Sequence, residues 1–322
     1  MAGFLRAQRS ALRRRVRRTM LGNCVLLVLD NQKAKYRLAR GDIQTDSGMA
    51  HAGRDVAASL AYIDMVHREY LTEAAIDRFH GRVAEIGPGD NCGVGLLMLA
   101  DGAKHVDLVD RFYSDRDPAQ HAAIYRALIA RERGLNHLAG CDREGAFRGI
   151  ARHYGEAASA EHFFIENRGY DFIVSRAVLE HVSDPILSLQ RMRAALNPGG
   201  VMIHVVDLRD HGMFTACGFD ELKFLEVPSA IYPQMTAAMG RPNRVPLSAF
   251  RAACPDATIK VTHLVGSTQL DRPMAWEELP QELRNDAVER VKARKKRFTS
   301  KLRSERDEDL AVTGFVLIDR AM

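Results

Sequence analysis

Between Val83 and Gly93 the chain reads VAEIGPGDNCG. An acid, Glu85, stands just before two glycines, Gly87 and Gly89, with Pro88 between them. Glycines placed this way let a backbone approach a ligand with no Cβ in the way. About twenty residues further on, Asp110 closes the apolar run HVDLVD. A carboxylate at such a strand end can accept hydrogen bonds from ribose hydroxyls. Later come Glu180 and His181 in LEHV, then Asp207, Asp210 and His211 in VVDLRDH. A histidine beside a carboxylate can draw a proton from a reacting hydroxyl. These residues point to a nucleotide-like ligand and to a reaction that moves a proton.

Glycine loops serve several cofactors, and two are excluded here. A dinucleotide fingerprint wants a third glycine where this chain has Cys92. A phosphate-binding P-loop ends in Gly-Lys-Ser/Thr, which occurs nowhere in the sequence. What remains is acidic-x-Gly-x-Gly. Asn91 stands where a third glycine is often found. Asparagine tolerates left-handed backbone angles, so Asn91 is expected to take that turn.

Downstream lies YDFIVSRAVLEHVSDPILSLQRMRAALNPGG, followed by VMIHVVD. In this order and spacing, over Arg82 to Asp207, the motifs resemble those of class I S-adenosylmethionine-dependent methyltransferases. The resemblance implies S-adenosyl-L-methionine as cofactor. Carried over position by position, it implies a binding set of Glu85, Gly87, Pro88, Gly89, Asn91, Asp110, Arg111, Ser175 and Arg176. For the adenine it leaves Glu161, with Glu156 as the other candidate in YGEAASAEHF. The cofactor's amino group and sulfonium are cationic, so nearby carboxylates suit it better than an anion-binding helix terminus does. Asp107 competes with Asp110 for the ribose, but it alternates with Val106 and Leu108 inside its strand.

Methyl transfer is an in-line displacement, and an oxygen acceptor must also lose a proton. His181, Asp207 and His211 are the catalytic candidates. Strand four ends in Ser175-Arg176 rather than in an acid, so no metal is expected. The amino methyltransferases of nucleic acids that share this fold carry a Pro-Pro-aromatic signature after that strand, where this chain has SRAV. Cys254-Pro255 is the reverse of the order used by cytosine-C5 enzymes. Nucleic acid is therefore not the expected partner. HVVDLRDHGMF is similar to bacterial methyltransferases of saccharide and cell-surface glycan modification. The reading is O-methylation of a small hydroxylated acceptor such as a saccharide or glycan. A quinone, lipid or phenolic metabolite is the alternative acceptor. The alternative of another class is a non-catalytic scaffold of the same fold that binds partners through its basic helices.

The elements that must position these groups follow from periodicity. From Gly81 short apolar runs alternate with helical stretches, so the fold class is α/β: a Rossmann-like doubly wound sheet, mostly parallel. TIKVTHLV and AVTGFVLIDR read as two final strands that bring an antiparallel edge strand. Residues 1–80 read as a basic arm and an N-terminal helical extension, with a helix over 52–80. Residues 81–322 read as the methyltransferase domain, with an insertion after strand five at about 209–246 that covers the substrate. A long basic helix is expected over Gln281 to Arg303.

The 322 residues are 46% hydrophobic and 27% charged, with a net charge of +5, which suits a soluble protein with a real core. Five scattered cysteines fit a reducing cytoplasm rather than a disulfide framework. The basic tract Arg6–Arg18 precedes the apolar MLGNCVLLVL, which is too short to span a bilayer. That order favours an interfacial helix and peripheral membrane contact by a cytoplasmic protein. Homo-oligomerisation stays open.

Overall fold

The computed structural model describes residues 11, 13–45, 47–266 and 269–321. The beginning of the Arg6–Arg18 tract thus lies outside the described residues. Among the described residues there are nine strands: β1 (Gln44–Thr45), β2 (Gly81–Ile86), β3 (Ala103–Asp110), β4 (Tyr113–Ser114), β5 (Ile150–Tyr154), β6 (Tyr170–Arg176), β7 (Leu196–Asp207), β8 (Thr258–Leu264) and β9 (Val312–Arg320). The longer helices are α1 (Met20–Leu38), α2 (Val56–Ala74), α3 (Gly93–Asp101), α4 (Pro118–Arg131), α5 (Pro185–Ala195), α6 (Leu247–Ala253) and α7 (Gln281–Lys295). Seven strands form one sheet in the order β5-β3-β2-β6-β7-β9-β8. The pairs from β5 to β7 are parallel. β9 runs against β7: Gly199 donates to Ala321, and at the other end Leu208 donates to Thr313. The doubly wound, mostly parallel sheet with antiparallel pairing at its edge is the fold expected from the sequence.

Packing divides the chain into two compact units. The sheet unit comprises Ile43–Val206, Arg251–Lys260 and Val316–Met322. The insertion unit comprises Met1–Asp42, Asp207–Phe250 and Val261–Phe315. The division falls inside the extension expected over residues 1–80. α2 packs with the sheet unit, while α1 packs with the insertion.

In the sheet unit the central strands are buried on both faces, so they read as near-continuous apolar runs. Val83, Val106, Leu108, Phe172, Val174 and Ile203 form one core with the nearly all-apolar α3. α2 adds Ile63, Val66, Tyr70 and Ala74 at helical spacing, so one face is buried. Its ends are set locally: Asp55 caps Ala58 N at 2.7 Å, and Ala75 turns left-handed at φ 50°. Asp117 and Asp184 cap α4 and α5, each followed by a proline at the first helical position. Such caps contribute about 1 kcal/mol each.

In the insertion unit α1 is held by Asn23, which donates to Met213 O at 2.8 Å, and Asn31, which accepts from Ala238 N at 2.8 Å. α7 ends at Lys295, short of the helix expected up to Arg303. The chain turns there and buries Phe298, before a separate short helix over Ser300–Arg303.

Candidate active site

The cradle in the sheet unit forms where β2 runs into α3. Gly87 has φ +69° and Gly89 has φ +68°, angles that a side chain resists. Gly87 donates to Val109 O at 2.8 Å, which ties the loop to the end of β3. A Cβ on Gly87 would lie 2.3 Å from a methyl of Val178, and one on Gly89 would lie 2.5 Å from the carbonyl oxygen of Gly48. The loop is therefore wedged between the turn after β6 and a strap over residues 44–45 and 47–51. That strap is fixed by the β1–β4 pairing, by Ser114 donating to Ser47 O, and by Asp90 N donating to Gly48 O.

Asn91 does not take the left-handed turn expected of it. It is absent from the positive-φ residues, and its side chain accepts from Gly93 N at 2.7 Å, securing the start of α3. The glycine needed for close packing is Gly93, where a Cβ would meet Ile63 at 2.4 Å.

Two carboxylates face this loop region under-compensated. Glu85 is 5% exposed, and among the described residues its Oε2 has no hydrogen-bond partner. Burial raises its pKa to about 7, opposed by Arg152. Burial also raises Asp110, to about 6, opposed by the backbone N–H of Phe112 and by Arg152 and Arg116. A desolvated carboxylate beside an open glycine backbone favours a cationic or hydroxyl-bearing ligand. The residues thus fit S-adenosylmethionine, which is cationic and carries ribose hydroxyls. Asp107 is occupied by His153, Tyr170 and Arg82, at 2.8, 2.9 and 2.9 Å.

The sequence did not reveal what lies beneath the loop. Arg152, on the unforeseen strand β5, contacts Gly89 O at 3.4 Å, the Tyr154 hydroxyl at 2.5 Å and Glu144 at 3.2 Å. Glu144 also accepts from Tyr125 at 2.7 Å and pairs with Arg116. This partly buried network holds a positive charge close to both cradle carboxylates.

Several proposed cofactor contacts have other partners. The Ser175 hydroxyl is fully buried against His204 Nδ1 at 2.8 Å, across the β6–β7 pair. Arg176 pairs with Glu69 of α2 at 2.7 Å. Glu161 accepts from Ser183 and Asp184 N–H at 2.7 and 3.2 Å, which fixes the entry to α5. The exposed Glu156 pairs with Arg111 at 2.8 Å, next to Asp110 in the chain. His181 lies in a turn rather than a helix, 3.9 Å from the buried Glu180.

The insertion unit carries Asp207 and His211. Burial would raise Asp207, but hydrogen bonds from Arg209 and His211 outweigh it and hold the carboxyl well below the usual range. His211 Nε2 lies 3.2 Å from Asp207 O and 3.6 Å from its carboxylate. The neighbouring Asp210 is buried and accepts from the backbone of Gly212, Phe214 and Thr215 and from the Thr215 hydroxyl. It shapes the loop that presents His211, whose φ is +47°. Within this unit a cavity of about 390 Å³ is lined by Asp207, His211, Glu221, Arg244, Phe224 and Leu310, among others. Arg244 is also left-handed, at φ +67°, and stacks 3.7 Å over Tyr232. Strained non-glycine residues of this kind concentrate at functional sites.

The family model described as a methyltransferase domain matches residues 59–259. No curated protein matches the sequence. Among solved structures, the chain is similar to a putative sarcosine dimethylglycine methyltransferase from Galdieria sulphuraria. That match has 12% identity and a TM-score of 0.39, and covers 82% of this chain and 85% of that one. It is similar to an S-adenosylmethionine-dependent methyltransferase from Mesorhizobium loti at 15% identity and TM-score 0.39, over 80% and 99% of the two chains. It is also similar to phosphoethanolamine N-methyltransferase 2 from Haemonchus contortus at 13% identity and TM-score 0.41, over 80% and 52%. The family match, which spans more than half of the sequence, carries the assignment. The chain belongs to the methyltransferase-domain family and is a class I S-adenosylmethionine-dependent methyltransferase.

Proposed function

We propose that this enzyme methylates a hydroxyl group of a small polar acceptor, with saccharides and glycans as the first class to test. The observation that carries the reading is the pairing of His211 with Asp207 on the wall of a cavity that mixes charged and apolar side chains. When bound, S-adenosylmethionine supplies an electrophilic methyl group. Glu85 offers a carboxylate to its cationic end, and Asp110 accepts from its ribose hydroxyls. With Nε2–H directed at Asp207, the neutral His211 ring keeps its lone pair on Nδ1, a tautomer assigned from the hydrogen bonding. Nδ1 would take the proton of the acceptor hydroxyl, and the bound cofactor would supply the methyl group to the acceptor oxygen. Asp207 then stabilises the imidazolium. His181, beside Glu180, is the competing base.

The test incubates methyl-labelled S-adenosylmethionine with separate panels of sugars, glycolipids, phenols and RNA. Label in hydroxylated sugars or glycans, lost in His211→Ala, supports the reading. Label confined to phenols or RNA overturns the acceptor class.

A further inference from the structure

α1 is amphipathic in the wrong sense for a helix that serves only its own fold. Its inward stripe is Asn23, Leu27 and Asn31, all buried, and two of the three are polar. Its outward stripe carries large apolar side chains: Leu21 is 77% exposed, Val25 48%, Leu29 58% and Tyr36 58%. At 3.6 residues per turn these four fall within an arc of roughly 80°, on the side opposite the asparagines. Solvent-facing apolar residues are ordinary when scattered, but a contiguous stripe on one helix marks a surface that something covers.

The charge around the stripe indicates what covers it. Arg15 and Arg18 are exposed just ahead of α1, Lys33 is exposed beside the stripe, and Arg40 stacks 4.4 Å over the Tyr36 ring at its far end. The helix contains a single acid, Asp30. It lies on the far side from the stripe and is claimed by Arg13 and Arg17. An apolar strip rimmed by cations and free of acid is complementary to a layer of acyl chains beneath anionic headgroups. No helix among the described residues is long and apolar enough to cross a membrane, so the contact is one of lying on the surface.

We propose that the outward face of α1 docks the enzyme on an anionic lipid surface, with Leu21, Val25 and Leu29 entering the interface and Arg15, Arg18 and Lys33 meeting the headgroups. This goes beyond the methyl-transfer reading and does not depend on it. The inward asparagines anchor the helix to its own unit, which leaves the apolar face available.

The test is co-sedimentation of the full chain with vesicles of phosphatidylcholine alone or with about 30% phosphatidylglycerol, in low and high salt. The wild type is expected to pellet with the anionic vesicles at least tenfold more than with the neutral ones, and to be released by salt. Leu21→Glu with Leu29→Glu, and separately Arg15→Glu with Arg18→Glu, should abolish pelleting while circular dichroism and calorimetric cofactor binding stay at wild-type values. Failure of the wild type to pellet overturns the proposal. So does a concentration-dependent dimer in light scattering that Leu21→Glu with Leu29→Glu dissolves, because the face would then belong to a second copy.

Discussion

Gly89 lies against the carbonyl oxygen of Gly48, so closely that a methyl group on Gly89 would sit 2.5 Å from it. The glycine loop and the strap around Gly48 are thus one structure, although about forty residues separate them in the chain. Gly89→Ala must both occupy a left-handed angle, at about 1–2 kcal/mol, and push the strap away. Calorimetry should show at least a tenfold loss of S-adenosylmethionine affinity with the far-ultraviolet spectrum unchanged. Wild-type affinity would mean that the strap contact is dispensable.

Glu85 predicts a pH dependence of two opposite signs. Burial raises its pKa to about 7, against 4.5 for an ordinary glutamate. Between those values the folded state holds a proton that the unfolded state has lost. Its contribution to stability is complete below about pH 4.5 and disappears as pH rises through 7. Binding a cationic ligand calls for the charged carboxylate, so affinity should rise roughly tenfold between pH 6 and pH 8. Glu85→Gln should flatten both profiles relative to wild type. Thermal melts and calorimetry across pH measure each.

His211→Ala is expected to lower turnover by about 10²–10⁴ at saturating acceptor, with cofactor affinity unchanged. His181→Ala serves as the control. If His181→Ala is the variant that loses activity while His211→Ala does not, the base lies in the sheet unit instead.

Ser175→Ala separates a structural role from a cofactor role. It leaves His204 Nδ1 unpaired in a fully buried position, where burial already depresses that histidine to about 3. Denaturant titration should report a loss of about 1–3 kcal/mol. Cofactor affinity should stay within twofold of wild type, and a tenfold loss would return Ser175 to the binding site.

Residues 81–110 and 170–207 were legible because their strands are buried on both faces, which forces uninterrupted apolar runs with glycine and acid at their ends. β5 was not legible. Ile150, Ala151, Arg152, His153 and Tyr154 are all partly exposed and alternate in no clear way, as an edge strand permits. The role of Arg152 depends on Glu144 and Arg116, which only the fold brings to it. Asn91 was read for its backbone tolerance, but its side chain is the part used. The apolar run in α1 was plain in the sequence. Which of its sides faces inward was not, because two asparagines that resemble solvent-exposed residues are the buried anchors.

Those anchors have a consequence for synthesis. Asn23 waits for Met213 and Asn31 for Ala238, partners 190 and 207 residues later in the chain. At about 5–20 residues per second, α1 emerges roughly ten to forty seconds before either arrives. Throughout that interval both its inward and its outward faces are open, and the helix meets its surroundings before it meets its own fold.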